Sequence, residues 1–426
     1  MKFIRQWGEF MMMGARAHAK WEIDVSNTVM KSRTRRIILV LLLIPIIIGG
    51  VAIANDYSGL IPETLGGKKA YSPAFFTPKI FIASIFIGLG AGLITGCIGA
   101  GGGFIIAPAL MSAGIKGILA VGTDLFHIFA KAIMGSVMHK KLGNISVSLA
   151  VLFLIGAIAG ATGGGTINRM LYEINPILSD TLITTVYVLM LGLLGTYALI
   201  DYFRSRKSES QGDFHGADSE GAEMGNLPKK LQSMKIPPMV TFDQGLVPGG
   251  RRISAVFLIL SGALVGFCAA IMGVGGGFLT FPIFVYVLGV SSMTTVGTDV
   301  FQIVFTAGYS SITQYAAYGF IFYTLAIGLL LGSLFGIQIG ALVTKVVKGI
   351  TIRGFYALAV LAGFINRVFA LPGKLAEMDL IPLSKQTTMI LDQIGIWSFF
   401  VVIIIFTFWV FKTFFKNIKV LRGAEA

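Results

Sequence analysis

The sequence predicts an all-α, polytopic membrane protein built as an inverted-topology repeat with two broken or re-entrant helix pairs. Three observations predict it. Of the 426 residues, 55% are hydrophobic and only 13% are charged, whereas a soluble domain carries roughly 25% charged. Uncharged apolar stretches of about 20 residues, the length selected by a hydrocarbon core about 30 Å thick, recur along most of the chain. A string of glycine-containing signatures also returns, nearly unchanged, 174 residues later.

The charge balance is basic, with 34 lysines and arginines against 20 acidic residues and a net charge of +14. Its distribution excludes a nucleic-acid partner. Between Arg252 and Lys345 the only charged residue is Asp299, and a surface that tracks phosphates cannot be built from one carboxylate. Cys97 and Cys268 both lie inside apolar segments and form no disulfide framework.

In chain order, apolar runs occupy 37–54, 79–98, 103–115, 118–138, 145–168, 181–203, 253–273, 277–289, 292–316, 320–344, 352–371 and 394–411. The runs at 103–115 and 277–289 are too short to cross, because thirteen residues reach only about 20 Å at about 1.5 Å each. They read as half-helices or re-entrant pieces joined to their predecessors by glycine-rich breaks. Irregular backbone at membrane depth survives only where it is buried in protein or lines a polar cavity.

Lysine and arginine set the orientation. Eight basic residues lie in the first 36, eight lie in 204–252, and further clusters comprise Lys345, Lys348 and Arg353, and then Lys412, Lys416, Lys419 and Arg422. If each short helix counts as a crossing, these segments fall on one side together with Lys140 and Lys141, as the positive-inside rule requires. The expected organisation is a cytoplasmic N-terminal segment (1–36), a first transmembrane helix (37–55), membrane repeat 1 (79–203), a polar cytoplasmic linker (204–252), membrane repeat 2 (253–372), and an extra helix with a basic cytoplasmic tail (373–426). From Met30, the basic start, apolar core and Ala52-Ile53-Ala54 ending also resemble a secretory signal peptide. Both readings of 30–54 remain open. The linker opens with Ser208-Glu209-Ser210-Gln211-Gly212 and reads as a largely disordered tether, with a regulatory role as the alternative.

The repeat is the most informative feature. Gly88, Gly92, Gly99, Gly101, Gly102, Gly103, Phe104 and Pro108 return as Gly262, Gly266, Gly273, Gly275, Gly276, Gly277, Phe278 and Pro282. After a one-residue insertion, Val121-Gly122-Thr123-Asp124 returns as Val296-Gly297-Thr298-Asp299, and Gly156, Gly160 and Gly164 answer Gly332, Gly336 and Gly340. Each unit of about 125 residues holds five apolar elements. An odd number sends the second copy into the membrane from the opposite side, the architecture of secondary transporters whose site lies at the repeat interface.

The candidate site follows from these pairs. Gly101, Gly102 and Gly103, with Gly275, Gly276 and Gly277, resemble a phosphate loop, but no strand precedes them and no Gly-Lys-Ser/Thr follows. Two readings of the glycines stand: backbone amides freed at a half-helix start, where the dipole favours an anion, or small residues that let helices pack closely. Thr123 and Thr298 are expected to wall the same cavity. Asp124 and Asp299 are intramembrane carboxylates, each costing at least ~2.5–3.5 kcal/mol at mid-depth; they mark an ion or proton path, or they cap a helix start. His127 and Lys131 follow Asp124 at i+3 and i+7 and share its helix face, and Gln302 and Thr306 take their places after Asp299. Lys131 and Gln302 are candidate anion ligands and His127 a candidate proton carrier; alternatively, Asp124 and Lys131 neutralise each other through His127.

An enzyme is not expected. Of four histidines, His18 and His215 lie outside the apolar core, so neither a haem site nor a metal triad is available, and no GxSxG or HExxH motif occurs. No cofactor is expected.

The paired GxGGGF, proline and VGTD signatures resemble those of the TauE/SafE family of sulfite and organosulfonate exporters, over about residues 80–203 and 253–372. The resemblance implies an inverted-repeat transporter in the bacterial inner membrane that exports small sulfur-containing anions such as sulfite, sulfoacetate or related sulfonates, coupled to a proton or sodium. A passive anion channel shares every feature except the coupling, and a membrane sensor or scaffold would place function in the linker. Lipid surrounds the chain in each case; the oligomeric state is not specified.

Overall fold

The computed structural model describes residues 78–98, 102–141, 145–210, 226–243, 250–344, 346–347 and 349–418. The apolar run at 37–54, Gly99, Gly101 and the linker residues 211–225 lie outside them.

The first repeat comprises α1 (Pro78–Ile98), α2 (Gly103–Ser112), α3 (Gly117–Lys141), α4 (Val147–Ile174) and α5 (Pro176–Ser210). A short helix α6 (Asn226–Ser233) and an antiparallel hairpin of β1 (Met239–Phe242) and β2 (Arg251–Ser254) follow. The second repeat comprises α7 (Ala255–Met272), α8 (Gly277–Pro282, prolonged by a π-helical turn to Leu288), α9 (Ser292–Tyr309, prolonged by a π turn to Tyr315), α10 (Tyr323–Thr344) and α11 (Gly349–Glu377). A last helix, α12 (Lys385–Lys416), closes the chain of elements. Ser291 and Ser384 start α9 and α12 by accepting amide hydrogen bonds from Thr294 and Thr387, as N-caps do.

Seven described helices, α1, α4, α5, α7, α10, α11 and α12, are long and apolar enough to cross a membrane, and this is an all-α, multi-pass membrane protein. The two short runs form the short helices α2 and α8. The equivalent helices α3 and α9 carry the polar residues of each repeat, Thr123, Asp124, His127 and Lys131, or Thr298, Asp299, Gln302 and Thr306.

The repeats interlock. The main partner of α1 is α10, and that of α7 is α4; α3 lies against α9, and α5 against α11. Exchanging the repeats maps this set of pairings onto itself. The recurring glycines make the close pairs: a side chain at Gly88 or Gly92 would run into the α10 backbone at Leu329 or Ser333, and one at Gly156 or Gly160 into the α7 backbone at Ile259 or Ala263. Without a hydrophobic force between helices in lipid, such backbone approach is what association rests on.

The linker departs from the expected tether. Residues 226–254 form the helix and hairpin because Phe242 and Ile253, alternating with polar neighbours, are buried at 2% and 0% exposure, giving a short strand pair an apolar face to bury. Arg251 Nη1 donates to the carbonyl of Gly289 and Gln232 Nε2 to that of Leu288, both at 2.8 Å, while Asp243 accepts from the amide and hydroxyl of Ser291 at 2.9 Å each. The turn between α8 and α9 is thus held from both sides.

Candidate functional site

Both half-helices begin at glycines in the left-handed region: Gly102 (φ 60°) precedes α2, and Gly275 (φ 67°) and Gly276 (φ 90°) precede α8. A residue with a Cβ is strained there. The first intrahelical bonds run from Ile105 N to Gly102 O and from Leu279 N to Gly276 O, so the amides of Gly103, Phe104, Gly277 and Phe278 precede any intrahelical acceptor.

The two starts meet. A Cβ on Gly103 would stand 3.1 Å from the Val274 backbone and 2.8 Å from Ile128, and Ile128 also covers Gly275. The equivalent Ile303 lies over Gly277, and the rings of Phe104 and Phe278 approach to 5.9 Å. Of the predicted glycines, Gly102, Gly103, Gly275, Gly276 and Gly277 therefore gather at one place; Gly101 lies outside the described residues. The close-packing reading of these glycines is met at this contact.

The other ends of the breaks carry carbonyls. At the end of α7, Tyr187 donates its hydroxyl to Met272 O at 2.6 Å, and Tyr315 donates to Ala270 O. Tyr315 in turn accepts from Asn168 Nδ2 (3.1 Å), whose Oδ1 accepts from Ser179 (2.6 Å). The phenols satisfy carbonyls that the broken helix exposes.

Thr123 and Thr298 sit in the second turn of their helices and cap neither. Instead, Thr123 Oγ1 accepts from the amide of Phe322, at the entry to α10, at 2.9 Å, and Thr298 Oγ1 accepts from that of Ser146, at the entry to α4, at 3.0 Å. Asp124 and Asp299 likewise lie beyond the N-cap position.

In the first repeat, Asp124 and His127 are fully buried. His127 Nδ1 lies 3.4 Å from Asp124 Oδ1, and Nε2 lies 2.9 Å from Ser333 Oγ on α10. Asp124 Oδ2 finds no hydrogen-bond partner among the described residues. Lys131 lies half-buried one turn beyond His127. In the second repeat, Gln302 Nε2 donates to Asp299 Oδ1 at 2.9 Å, and Thr306 donates to Gln302 Oε1 at 2.7 Å. Asp299 Oδ2 lies over the start of α8, 3.1 Å from where a Gly277 Cβ would be. The same helix face therefore carries a titratable pair in one repeat and a carboxylate held by an amide chain in the other. Among the described residues no group of three or more metal-ligating side chains assembles.

The sequence reading missed several polar groups of this core. Arg367, 3% exposed, donates to Pro108 O (3.3 Å), Ser112 Oγ (3.0 Å) and Asn366 Oδ1 (2.8 Å from Nε), anchoring the outer end of α2. Arg169 donates to the carbonyl and side chain of Gln314 and stacks 4.0 Å from the Tyr318 ring centroid. The signal for Arg367 was present: a cation inside the apolar run 352–371. Tyr187, Tyr315 and Ser333 carried no signal beyond ordinary membrane composition.

The Sulfite exporter TauE/SafE profile matches residues 84–367, more than half of the chain and the span that holds both breaks. The chain belongs to the TauE/SafE family. Among curated relatives of this TauE/SafE protein, a probable membrane transporter protein of Bacillus subtilis (strain 168), YjnA, is 26% identical over 263 residues, covering 61% of this chain and 89% of the relative. A probable membrane transporter protein of Xylella fastidiosa (strain 9a5c) is 24% identical over 269 residues, covering 61% of this chain and 85% of its own. A 74-residue stretch is 36% identical to Sulfite exporter TauE/SafE family protein 6 of Arabidopsis thaliana, covering 17% of each chain. No solved structure matches. The TauE/SafE family is one of membrane transporters, not of enzymes.

Proposed function

We propose that this protein is an ion-coupled secondary transporter that exports small sulfur-containing anions, such as sulfite, sulfoacetate or related sulfonates, across the bacterial inner membrane. The observation that carries the reading is the meeting of the two half-helix starts at Gly103 and Val274, with tyrosine hydroxyls on the α7 carbonyls. Donors are left for an anion and the competing acceptors are occupied. An odd number of elements per repeat and the self-mapping helix pairings support opposite orientation of the repeats and alternating access about a central site. In that reading Gly101, Gly102, Gly103, Gly275, Gly276 and Gly277 supply the amides, Lys131 and Gln302 line the site, and Thr123 and Thr298 wall it.

Coupling has a chemical basis in the two carboxylates. Asp299 lies over the start of α8, where an incoming anion would also bind, so protonating it removes a repulsion and links proton to substrate. At Asp124, two proton inventories fit the same distances. In one, Ser333 donates to Nε2 and Nδ1–H donates to the carboxylate. In the other, the Ser333 hydroxyl turns to Leu330 O, 3.2 Å away, Nε2–H donates to Ser333, and an extra proton lies between Nδ1 and Asp124. One proton separates the two. Outward movement of a dianion with one proton still carries net negative charge, which an inside-negative potential drives at about 2.3 kcal/mol per charge per 100 mV.

The test is flux in proteoliposomes loaded with sulfite, sulfoacetate or sulfate. Protein-dependent flux, with accumulation against a substrate gradient when a proton or sodium gradient is imposed, is expected. Flux equal to that of empty liposomes for every anion would overturn the reading, and strictly downhill flux would favour a passive channel.

A further inference from the structure

The segment between the repeats is held to the transporter by bonds that transport alone does not require. On α6, Pro228 is buried and Gln232, four residues on, reaches Leu288 O. That face belongs to the protein. Positions 227, 231 and 234 recur at i, i+4 and i+7 and form an adjoining apolar stripe. Leu227 is 52% exposed and Met234 38%, and Ile236 follows at 42%. Lys229, Lys230 and Lys235 border the stripe and are exposed, as is Arg252 on β2. None of these four cations forms an ion pair with a described residue. The single carboxylate of the 226–254 stretch, Asp243, is committed to Ser291 and Arg251.

An exposed apolar stripe edged with lysines, on a helix fixed to the end of a membrane-embedded half-helix, matches the interface of a bilayer with anionic headgroups. Each lysine close to such a surface contributes about five-fold in partitioning. We propose that α6 and residues 234–238 after it form a docking surface for anionic lipid headgroups. Through Gln232, Arg251 and Asp243, the docked module then fixes the turn between α8 and α9. Solubility or topology signals alone would need the lysines but not the exposed Leu227, Met234 and Ile236 beside them.

The experiment is hydrogen exchange of the full chain in nanodiscs of phosphatidylcholine alone and of phosphatidylcholine with phosphatidylglycerol. It is run on the parent and on the Lys229→Ala/Lys230→Ala/Lys235→Ala variant. Amides of 226–238 in the parent are expected to exchange several-fold more slowly with phosphatidylglycerol present, and the triple variant to lose that slowing. Equal exchange in the two lipids, or slowing retained by the variant, would overturn the proposal. Protection in phosphatidylcholine discs by added polyglutamate equal to that given by phosphatidylglycerol would assign the surface to an acidic protein and overturn it too. Exchange does not depend on flux, so the outcome stands apart from that of the transport assay.

Discussion

The side-chain oxygen of Thr123 accepts the backbone amide of Phe322 at 2.9 Å across 199 positions of sequence, and its repeat mate Thr298 does the same for Ser146 at 3.0 Å across 152. Each repeat ties down the entry of a long helix in the other. Both ties are closed in this conformation.

Replacing either threonine by valine keeps the shape and removes the acceptor of the tie, which costs about 0.5–1.5 kcal/mol. Thr123→Val is expected to shift the population several-fold toward the state open at the Phe322 end, and Thr298→Val toward the state open at the Ser146 end. Cysteine labelling of residues flanking each tie would check this. Accessibility unchanged in both variants would remove the ties from gating.

Asp299→Asn keeps the hydrogen bond with Gln302 within reach and removes the titratable group over α8. Flux is expected to persist with a flattened pH response, and Asp124→Asn to flatten the response further in the double variant. pH–rate curves for sulfite flux identical to the parent's in both variants would take the carboxylates out of the mechanism.

His127→Gln converts the first repeat to the residue that the second carries at the same place. A glutamine can hold both Asp124 and Ser333, so folding is expected to survive, with the thermal midpoint within a few degrees of the parent, while proton-driven accumulation falls about ten-fold or more. Full accumulation by this variant would assign the coupling elsewhere.

Gly103→Ala places a methyl group 3.1 Å from the Val274 backbone, and Gly276→Ala puts a side chain at φ 90°, a left-handed strain of about 1–2 kcal/mol. Both are expected to abolish flux while leaving membrane insertion intact, as measured by yield and size-exclusion profile. Wild-type flux in Gly103→Ala would show that contact between the breaks is dispensable.

Tyr187→Phe removes only the hydroxyl on Met272 O, leaving that carbonyl bare at the break. Expected effects are a loss of about 1–3 kcal/mol of stability and a raised KM for the anion with smaller change in maximal rate. An unchanged KM would confine the phenol to folding.

Much of the fold was legible because membrane physics writes it locally. Long apolar runs marked α1, α4, α5, α7, α10, α11 and α12, and the two short runs flanked by glycines marked α2 and α8. The Gly-Thr-Asp pairs also pointed to the polar core. What could not be read were partners set by the interlocking: Ser333 meets His127 from 206 positions away and Tyr187 meets Met272 from 85, and nothing in the local pattern of a hydroxyl in an apolar helix distinguishes it from an idle one. The capping reading of Asp124 failed for a related reason, since α3 begins at Gly117, a turn and more before it. The structured part of the linker was hidden by its composition, because four-residue strands and one short helix bury too little to stand out from a polar stretch.

The interlocked pairs change what can move as a body. Since α1 is bound along α10 and α7 along α4 by backbone-to-backbone approach at glycines, neither sequence half can swing as a unit without tearing those seams. The rigid parts of this machine are therefore hybrids, each stitched from both halves of the gene. A chain cut between residues 210 and 226 would yield two fragments that mature only in each other's company.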